Sequence, residues 1–167
     1  KTSTVLGGPN FPTLKEEQYE YLKERPCVDF YVVKEGEYAF YKLISALINK
    51  NSIEEISELP NLVFIKDEKF YHHKKIERIM DLTQIPSPYL SGRLDSFLDG
   101  KLLPIIQTNR GCPFTCTYCT EGQSYWSKVK TKTHDVIAGE ISYISKKMNS
   151  LETSKRRTDF YIADSNF

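Results

Sequence analysis

Short apolar runs alternate with amphipathic stretches over the first 50 residues of the chain. The apolar runs at 3–6 and 28–33 lie next to Gly or Pro and predict strands. A capping-box pattern at 13–16 predicts a helix that ends near residue 25. A second helix is predicted to end near residue 50, and its apolar face carries Phe40, Leu43, Ile44 and Leu47. This order is typical of parallel strands with crossover helices, so we interpret residues 1–50 as the second half of a doubly wound, Rossmann-like α/β domain.

Residues 51–100 carry shorter periodic stretches and more turn-forming residues. Ser52 and Glu55 fit a capping box for one short helix. Apolar runs at 62–65 and 69–72, separated by three polar residues, predict a hairpin. A stretch rich in Pro, Ser and Gly follows near residues 86–92 and favours loop structure. We interpret this part as a linker that contains a hairpin.

Residues 101–167 form one predicted strand–loop–helix–strand unit. The strands are predicted at 104–109 and 160–163, and a helix is predicted from Thr133 to about Asn149. Its apolar positions at helical spacing are Ile137, Ile141, Ile144 and Met148. If the two strands are parallel neighbours, the residues that follow them share one edge of the sheet. The loop after the first strand and the residues from Asp164 onward would then meet there.

Composition and charge exclude some of the classes of protein to which this chain could belong. The net charge of the 167 residues is +1, without the basic excess that is typical of nucleic-acid-binding proteins. No apolar run approaches the roughly 18 residues that span a bilayer, and no signal peptide is visible. We therefore predict a cytoplasmic protein with neither nucleic-acid nor membrane partners. The chain begins with Lys1 and ends in a predicted strand, so we expect it to be a piece of a larger protein.

Three of the four cysteines lie close together, in the pattern CxxxCxxC formed by Cys112, Cys116 and Cys119. Such clustering favours a metal site in a reducing compartment over a disulfide framework. Three thiolates on one loop can hold three corners of an iron–sulfur cube and leave the fourth iron open to a ligand, whereas most such clusters have four protein ligands. The alternative is a non-enzymatic zinc-binding module, in which His134 or Cys27 would complete a tetrahedral site.

Residues 107–119 resemble the signature loop of the radical S-adenosylmethionine enzymes. This resemblance implies that the three cysteines bind a 4Fe–4S cluster whose open iron chelates S-adenosylmethionine. Reductive cleavage of that cofactor to a 5′-deoxyadenosyl radical is the implied chemistry, with flavodoxin or ferredoxin as the type of reductant and an unidentified small-molecule substrate. The cofactor-binding residues implied by the resemblance are Tyr118, Asp164 and Asn166.

Residues 6–10, 28–33 and 35–37 resemble the closing half of the cobalamin-binding domain that precedes the radical module in one subgroup. Gly7 and Gly8 are the implied cobalamin contacts in that half. The cobalt-ligating Asp-x-His-x-x-Gly motif would lie before residue 1, so cobalamin is expected only in the full-length parent.

By this resemblance the chain spans a domain junction. Residues 1–50 would close the cobalamin-type domain, 51–100 would be the linker, and 101–167 would begin a TIM-type barrel. Because the rest of that barrel would lie elsewhere in the parent, the chain by itself is expected to be inactive.

Overall fold

The computed structural model describes residues 2–165, which divide after Ile79 into two compact units. The first unit contains a four-stranded mixed sheet with strand order β1-β2-β3-β4. Its strands are β1 (Val5–Gly7), β2 (Phe30–Val32), β3 (Leu62–Lys66) and β4 (Lys69–Tyr71). The domain boundaries near residues 50 and 100 stay a prediction.

Strands β1 and β2 pair in parallel across the crossover that contains helix α1 (Lys15–Lys23), as the sequence pattern predicts. The other two pairs in this sheet are antiparallel. Helices α2 (Glu37–Ile48) and α3 (Ile53–Ser57) connect β2 to β3.

Alternate side chains of β2 enter two different cores. Phe30 and Val32 pack in one cluster with Leu43 of α2, whereas Tyr31 pairs with Leu22 of α1 in a second cluster. Successive side chains of a strand point to opposite faces, so α1 and α2 cover opposite faces of the sheet. This is the layered arrangement of a doubly wound α/β fold, and the predicted α/β class is confirmed.

The buried face of α2 differs from the predicted one. Leu43 and Leu47 pack in the core as predicted, but the small residues Ala39 and Ala46 share that face, while Phe40 and Ile44 are exposed. Alanine at this spacing lets a helix backbone approach a sheet closely, and bulky side chains are then left on the outer side. Residue size, which hydrophobic spacing does not measure, decides the orientation.

One of the two predicted capping boxes in this unit is present. Ser52 Oγ accepts from the Glu55 backbone N–H at 3.2 Å, and the Glu55 carboxylate accepts from the Ser52 N–H at 2.8 Å. The box predicted at 13–16 is wrong, because α1 begins at Lys15 and its N-cap is Leu14, which makes no side-chain capping bond.

The predicted hairpin is formed by β3 and β4. Asp67 and Glu68 at its turn have φ of 50° and 61°, the pair of positive values that suits a tight two-residue connection. Because β3 also pairs with β2, the hairpin extends the sheet of the first unit.

The second unit contains two small sheets and one long helix. Its elements are β5 (Ile105–Ile106), β6 (Asn109–Arg110), β7 (Lys130–Thr131), α4 (His134–Asn149) and β8 (Tyr161–Ile162). Strands β5 and β8 pair in parallel, and β6 and β7 pair antiparallel. The strand predicted at 104–109 is therefore divided between two sheets. The further strands of a barrel stay a prediction.

The core of the second unit joins α4 to β5 and to the segment before it. Ile144 and Met148 of α4 pack with Ile106 and with Tyr89. The Tyr89 hydroxyl also accepts from the Ile105 N–H at 3.0 Å and donates to the Ile105 carbonyl at 2.7 Å, as a neighbouring strand would.

The outer end of this core has its own polar anchor. Asp95 accepts from the Tyr143 hydroxyl at 2.6 Å and from Lys147 Nζ at 2.5 Å. These hydrogen bonds, above all the one from Lys147, hold the pKa of the Asp95 carboxyl below its usual range.

Ile141 of α4, which the sequence predicts to face the core, is exposed. Within residues 2–165 no helix has the length and apolar character needed to cross a membrane.

A buried asparagine ties the strap at 75–79 to the end of β2. Asn61 is 1 % exposed and has φ of 57°, a backbone conformation that asparagine tolerates better than most residues. Its Nδ2 donates to the carbonyls of Val33 at 3.2 Å and Glu77 at 2.9 Å, and its Oδ1 accepts from the Glu77 N–H at 2.6 Å. One side chain thus satisfies several backbone groups that no strand partner reaches.

Replacing Asn61 by Asp should lower the free energy of unfolding by about 2–4 kcal/mol, because buried carbonyls lose their donor. Urea denaturation followed by circular dichroism measures the change. The matched control is Asn51→Asp at an exposed position, which should stay within about 0.5 kcal/mol of the wild type. Equal stability of Asn61→Asp and the control would contradict this account of the strap.

Candidate functional site

The chain leaves β5 and enters the cysteine loop through a short bend and a glycine. Gly111 is buried and has φ of 109°, a conformation that side-chain-bearing residues rarely adopt, and it directs the chain into Cys112. Before it, the Arg110 guanidinium donates to Gln107 Oε1 at 2.9 Å. The turn into the loop is therefore set by the conformation of Gly111 and by the contact between Arg110 and Gln107, and not by the cysteine side chains.

Both ends of the cysteine loop are held together at its base. Strands β6 and β7 pair Asn109 with Thr131 and Arg110 with Lys130. The Cys112 N–H also donates to the Trp126 carbonyl at 3.1 Å. The segment 112–126 is thus a closed loop on a two-stranded base, and Trp126, which packs edge-on against Tyr125, closes it.

The three cysteines lie on this loop as free thiols. Cys112 is half-buried, and Cys116 and Cys119 are exposed. Two consecutive turns hold the latter pair, since the Cys119 N–H donates to the Cys116 carbonyl at 3.1 Å and the Gly122 N–H donates to the Cys119 carbonyl at 3.0 Å. Among residues 2–165 no three His, Cys, Asp or Glu side chains are grouped closely enough to hold a metal ion.

Asp164 joins the end of β8 to the residues just before the cysteine loop. Its Oδ1 accepts from the backbone N–H groups of Thr108 at 2.7 Å and Asn109 at 3.1 Å. Its Oδ2 accepts from Asn109 Nδ2 at 2.9 Å and from the Thr108 hydroxyl. The predicted meeting of these two segments at one sheet edge is therefore observed.

A buried ion pair fixes the far side of the loop. Glu140 of α4 is 1 % exposed, and both of its carboxylate oxygens accept from Lys132 Nζ, at 2.9 and 3.0 Å. The Lys132 backbone N–H donates to the Thr108 carbonyl at 2.9 Å. Sequence reasoning missed this pair. The sequence signal that could have indicated it is the position of Glu140, which lies one helical turn before the buried Ile144 and therefore on the same face of α4.

Of the other two predicted cofactor residues, Tyr118 and Asn166, the structure describes Tyr118. Tyr118 is 91 % exposed at the tip of the loop. Asn166 lies outside the described residues. Tyr118 is not among the residues described above at the base of the loop, and its predicted role stays a prediction.

Gly7 and Gly8 lie at the carboxyl end of β1, where each has a local reason to be glycine. A Cβ on Gly7 would lie 3.3 Å from the Val32 carbonyl oxygen. Gly8 has φ of 111°, and a Cβ there would meet nothing within 4 Å. The Gly8 carbonyl accepts from the Tyr31 hydroxyl at 3.3 Å. The sheet edge beside Gly8 is thus locally open.

Comparison with known proteins finds relatives over most of the chain, one of which is a cobalamin-dependent radical SAM methyltransferase. The chain is 25 % identical over 169 residues to the cobalamin-dependent radical SAM methyltransferase TokK of Streptomyces tokunonensis, which covers 98 % of this chain and 23 % of TokK. It is 29 % identical over 142 residues to the anaerobic magnesium-protoporphyrin IX monomethyl ester cyclase of a Synechocystis species, over 84 % of this chain and 27 % of the cyclase. The predicted resemblance to radical S-adenosylmethionine enzymes with a cobalamin-type domain is confirmed.

A solved structure has the same fold. The cobalamin-dependent S-adenosylmethionine radical enzyme OxsB, with aqua-cobalamin and S-adenosylmethionine bound, matches with a TM-score of 0.69 over 98 % of this chain and 21 % of OxsB. At 19 % identity this likeness concerns the fold alone. No protein-family model matches the chain. The chain spans about a quarter of the length of the two curated relatives described above.

In residue type and number, though not in their present spacing, the donors on the loop match the cluster that the resemblance implies. Thiolates are the protein ligands of iron–sulfur clusters, and three of them stand on one loop without a disulfide. For cobalamin, the open space beside Gly8 fits an approach of a ligand to the backbone at the carboxyl edge of the first sheet.

Replacing Gly122 by Ala should disturb the cysteine loop, because the new Cβ would lie 2.3 Å from the Cys116 carbonyl oxygen. The two turns that contain Cys116 and Cys119 would have to open. We expect hydrogen exchange at the amides of Cys119 and Gly122 to accelerate by about tenfold or more.

The matched control is Gly139→Ala in α4, where the nearest atoms to the added Cβ lie at an ordinary 3.6 Å from Leu90. This variant should leave exchange in the loop unchanged. Unchanged exchange in Gly122→Ala would show that the turns do not depend on this close approach.

Proposed function

We propose that the protein that carries this chain is a radical S-adenosylmethionine enzyme, and that Cys112, Cys116 and Cys119 hold its 4Fe–4S cluster. The observation that carries the proposal is a loop with three free thiols at the carboxyl edge of a parallel strand pair. Similarity to TokK over nearly the whole chain supports it. No comparison supports the alternative zinc-binding module.

Each candidate residue of this chain has a different role at the proposed site. Cys112, Cys116 and Cys119 would ligate three irons and leave one iron open. Tyr118, exposed at the loop tip, would offer its backbone and ring to the adenine of S-adenosylmethionine. Asp164 and Asn166 stay predicted as polar residues near the methionine end of that cofactor.

When bound and reduced, the cluster supplies the single electron that cleaves S-adenosylmethionine to methionine and a 5′-deoxyadenosyl radical. A flavodoxin or ferredoxin would deliver this electron, and a small molecule would be the substrate. The relatives include a methyltransferase and a cyclase, so the reaction of neither is carried over to this chain, and the proposed step is the cofactor cleavage that the signature loop implies. A cytoplasmic setting remains part of the proposal.

Cobalamin would bind only in the full-length parent. Gly7 ends β1 at the carboxyl edge of the first sheet, Gly8 follows it, and the two would let the cofactor pass close to the backbone. Ligands in open α/β sheets bind at this edge. The residues that ligate cobalt are not proposed within this chain.

Anaerobic reconstitution with iron and sulfide tests the cluster assignment. The protein that carries this chain should bind about four irons and gain visible absorption, and Cys116→Ala should lose most of both because one corner of the cube has no ligand. Cys27→Ala is the matched control, since Cys27 lies in the first unit and is not part of the CxxxCxxC loop, and this variant should retain the cluster. Stoichiometric zinc without iron after anaerobic purification would instead establish the zinc module.

The 167-residue chain alone should not cleave S-adenosylmethionine. It supplies one parallel strand pair of the proposed barrel, too little to enclose the cofactor and exclude water. The measurement is chromatography of 5′-deoxyadenosine after incubation with dithionite, with the full-length parent as the positive control. Turnover by the isolated chain would refute the proposed division of the catalytic site.

A further inference from the structure

We propose that Asp164 is a positioning residue, which holds Thr108 and Asn109 and thereby sets the base of the cysteine loop. It would act through these two residues and not by direct contact with a cofactor. The inference rests on the proposed function in one respect, namely that the loop holds the cluster. Its geometric part concerns the chain alone.

The hydrogen-bonding capacity of the Asp164 carboxylate is filled by the chain itself. A carboxylate offers about four acceptor positions on its two oxygens. Two backbone N–H groups bond to Oδ1 at 2.7 and 3.1 Å, and the Thr108 hydroxyl and Asn109 Nδ2 bond to Oδ2. All four donors belong to Thr108 and Asn109. A cofactor ammonium would have to displace one of them.

The two residues held by Asp164 are those that fix both ends of the loop. The Thr108 carbonyl accepts from the Lys132 N–H at 2.9 Å, and Asn109 pairs with Thr131. Lys132 in turn is held by the buried Glu140. Asp164 therefore closes a chain of contacts that runs from β8 through the entrance of the loop to its exit and on to α4.

The position of Asp164 in the sequence makes this role non-local. It lies 55 and 56 residues from its partners, and it is the second residue after the end of β8. The parallel pair of β5 and β8 has only two residue pairs, Ile105 with Tyr161 and Ile106 with Ile162. Charge-assisted bonds beyond such a short ladder are well placed to keep the two strand ends in register.

The test compares Asp164→Asn, Thr108→Val and the double variant in the protein that carries this chain. Asparagine keeps the size but presents an NH2 group toward the donors of Thr108 and Asn109. Valine keeps the shape of threonine and removes only the hydroxyl. Asp159→Asn is the control, because Asp159 is an exposed carboxylate whose bonds go to Arg157.

Two readouts on the metal-free protein address positioning without any cofactor. Hydrogen exchange at the amides of Thr108 and Asn109 should accelerate by about tenfold or more in Asp164→Asn and remain unchanged in Asp159→Asn. The relative alkylation rates of Cys112, Cys116 and Cys119 should change in the same variant. Thr108→Val should shift both readouts in the same direction, and the double variant should add less than the sum.

Two further readouts apply after reconstitution. Asp164→Asn should retain less iron and alter the electron paramagnetic resonance spectrum of the reduced cluster, and Thr108→Val should change both in the same direction. Weaker S-adenosylmethionine binding in Asp164→Asn, with exchange, alkylation and the spectrum as in the wild type and with no effect of Thr108→Val, would overturn the inference in favour of direct contact.

The outcomes separate this inference from the proposed function. Failure of the wild-type protein to bind iron would refute the cluster assignment, and the exchange and alkylation results would still decide whether Asp164 positions the loop. Unchanged exchange and alkylation in Asp164→Asn would overturn the positioning role whatever metal the cysteines bind. Faster hydrogen exchange with unchanged alkylation rates would also overturn the positioning role. The reactivity of the cysteines would then not depend on how the base of the loop is held.

Discussion

The parallel pairing of β5 with β8 is the interaction on which the candidate site depends. Parallel strands end at the same edge of a sheet, so the segments that follow them must meet. Here the meeting joins Thr108 and Asn109 to Asp164. The ladder itself is short, and the Tyr89 hydroxyl supports β5 by hydrogen bonds with the backbone N–H and carbonyl of Ile105. A few long-range polar contacts thus add to the two residue pairs of the ladder and help to hold β5 and β8 together.

The first unit uses the same constraint with a larger core. Strands β1 and β2 are parallel, and alternate side chains of β2 bury on the two faces of the sheet against α1 and α2. Buried polar groups hold connecting segments in both units, as Asn61 holds the strap at 75–79 in the first unit and Glu140 of α4 holds Lys132 in the second. Each of them has specific partners, as burial of such groups requires. Apolar packing therefore builds the layers, and buried polar contacts fix the connections between them.

Similarity of fold and similarity of chemistry rest on different parts of the chain. The likeness to OxsB covers 98 % of the chain at 19 % identity and so concerns backbone arrangement. The proposed chemistry rests on the thiols of one loop and on how its base is held. Because one fold can carry many functions, the loop and not the sheet is where the assignment must be tested.

The sequence by itself determined the local elements. It predicted α4 up to Asn149, a hairpin with a connection at 66–68, of which the structure leaves Asp67 and Glu68 as the turn, and the three cysteines on one loop. These depend on neighbours within a few residues, so periodicity and turn chemistry suffice. Resemblance to a known family then carried the interpretation from thiols to a cofactor.

Only the tertiary structure decided which residues meet across long separations. It placed alanines and not Phe40 on the inner face of α2, buried Glu140 by pairing it with Lys132, and filled the Asp164 carboxylate with donors from 55 and 56 residues away. Hydrophobic spacing cannot reveal these outcomes. They depend on how closely two elements approach each other and on which polar group the neighbouring element presents at the contact.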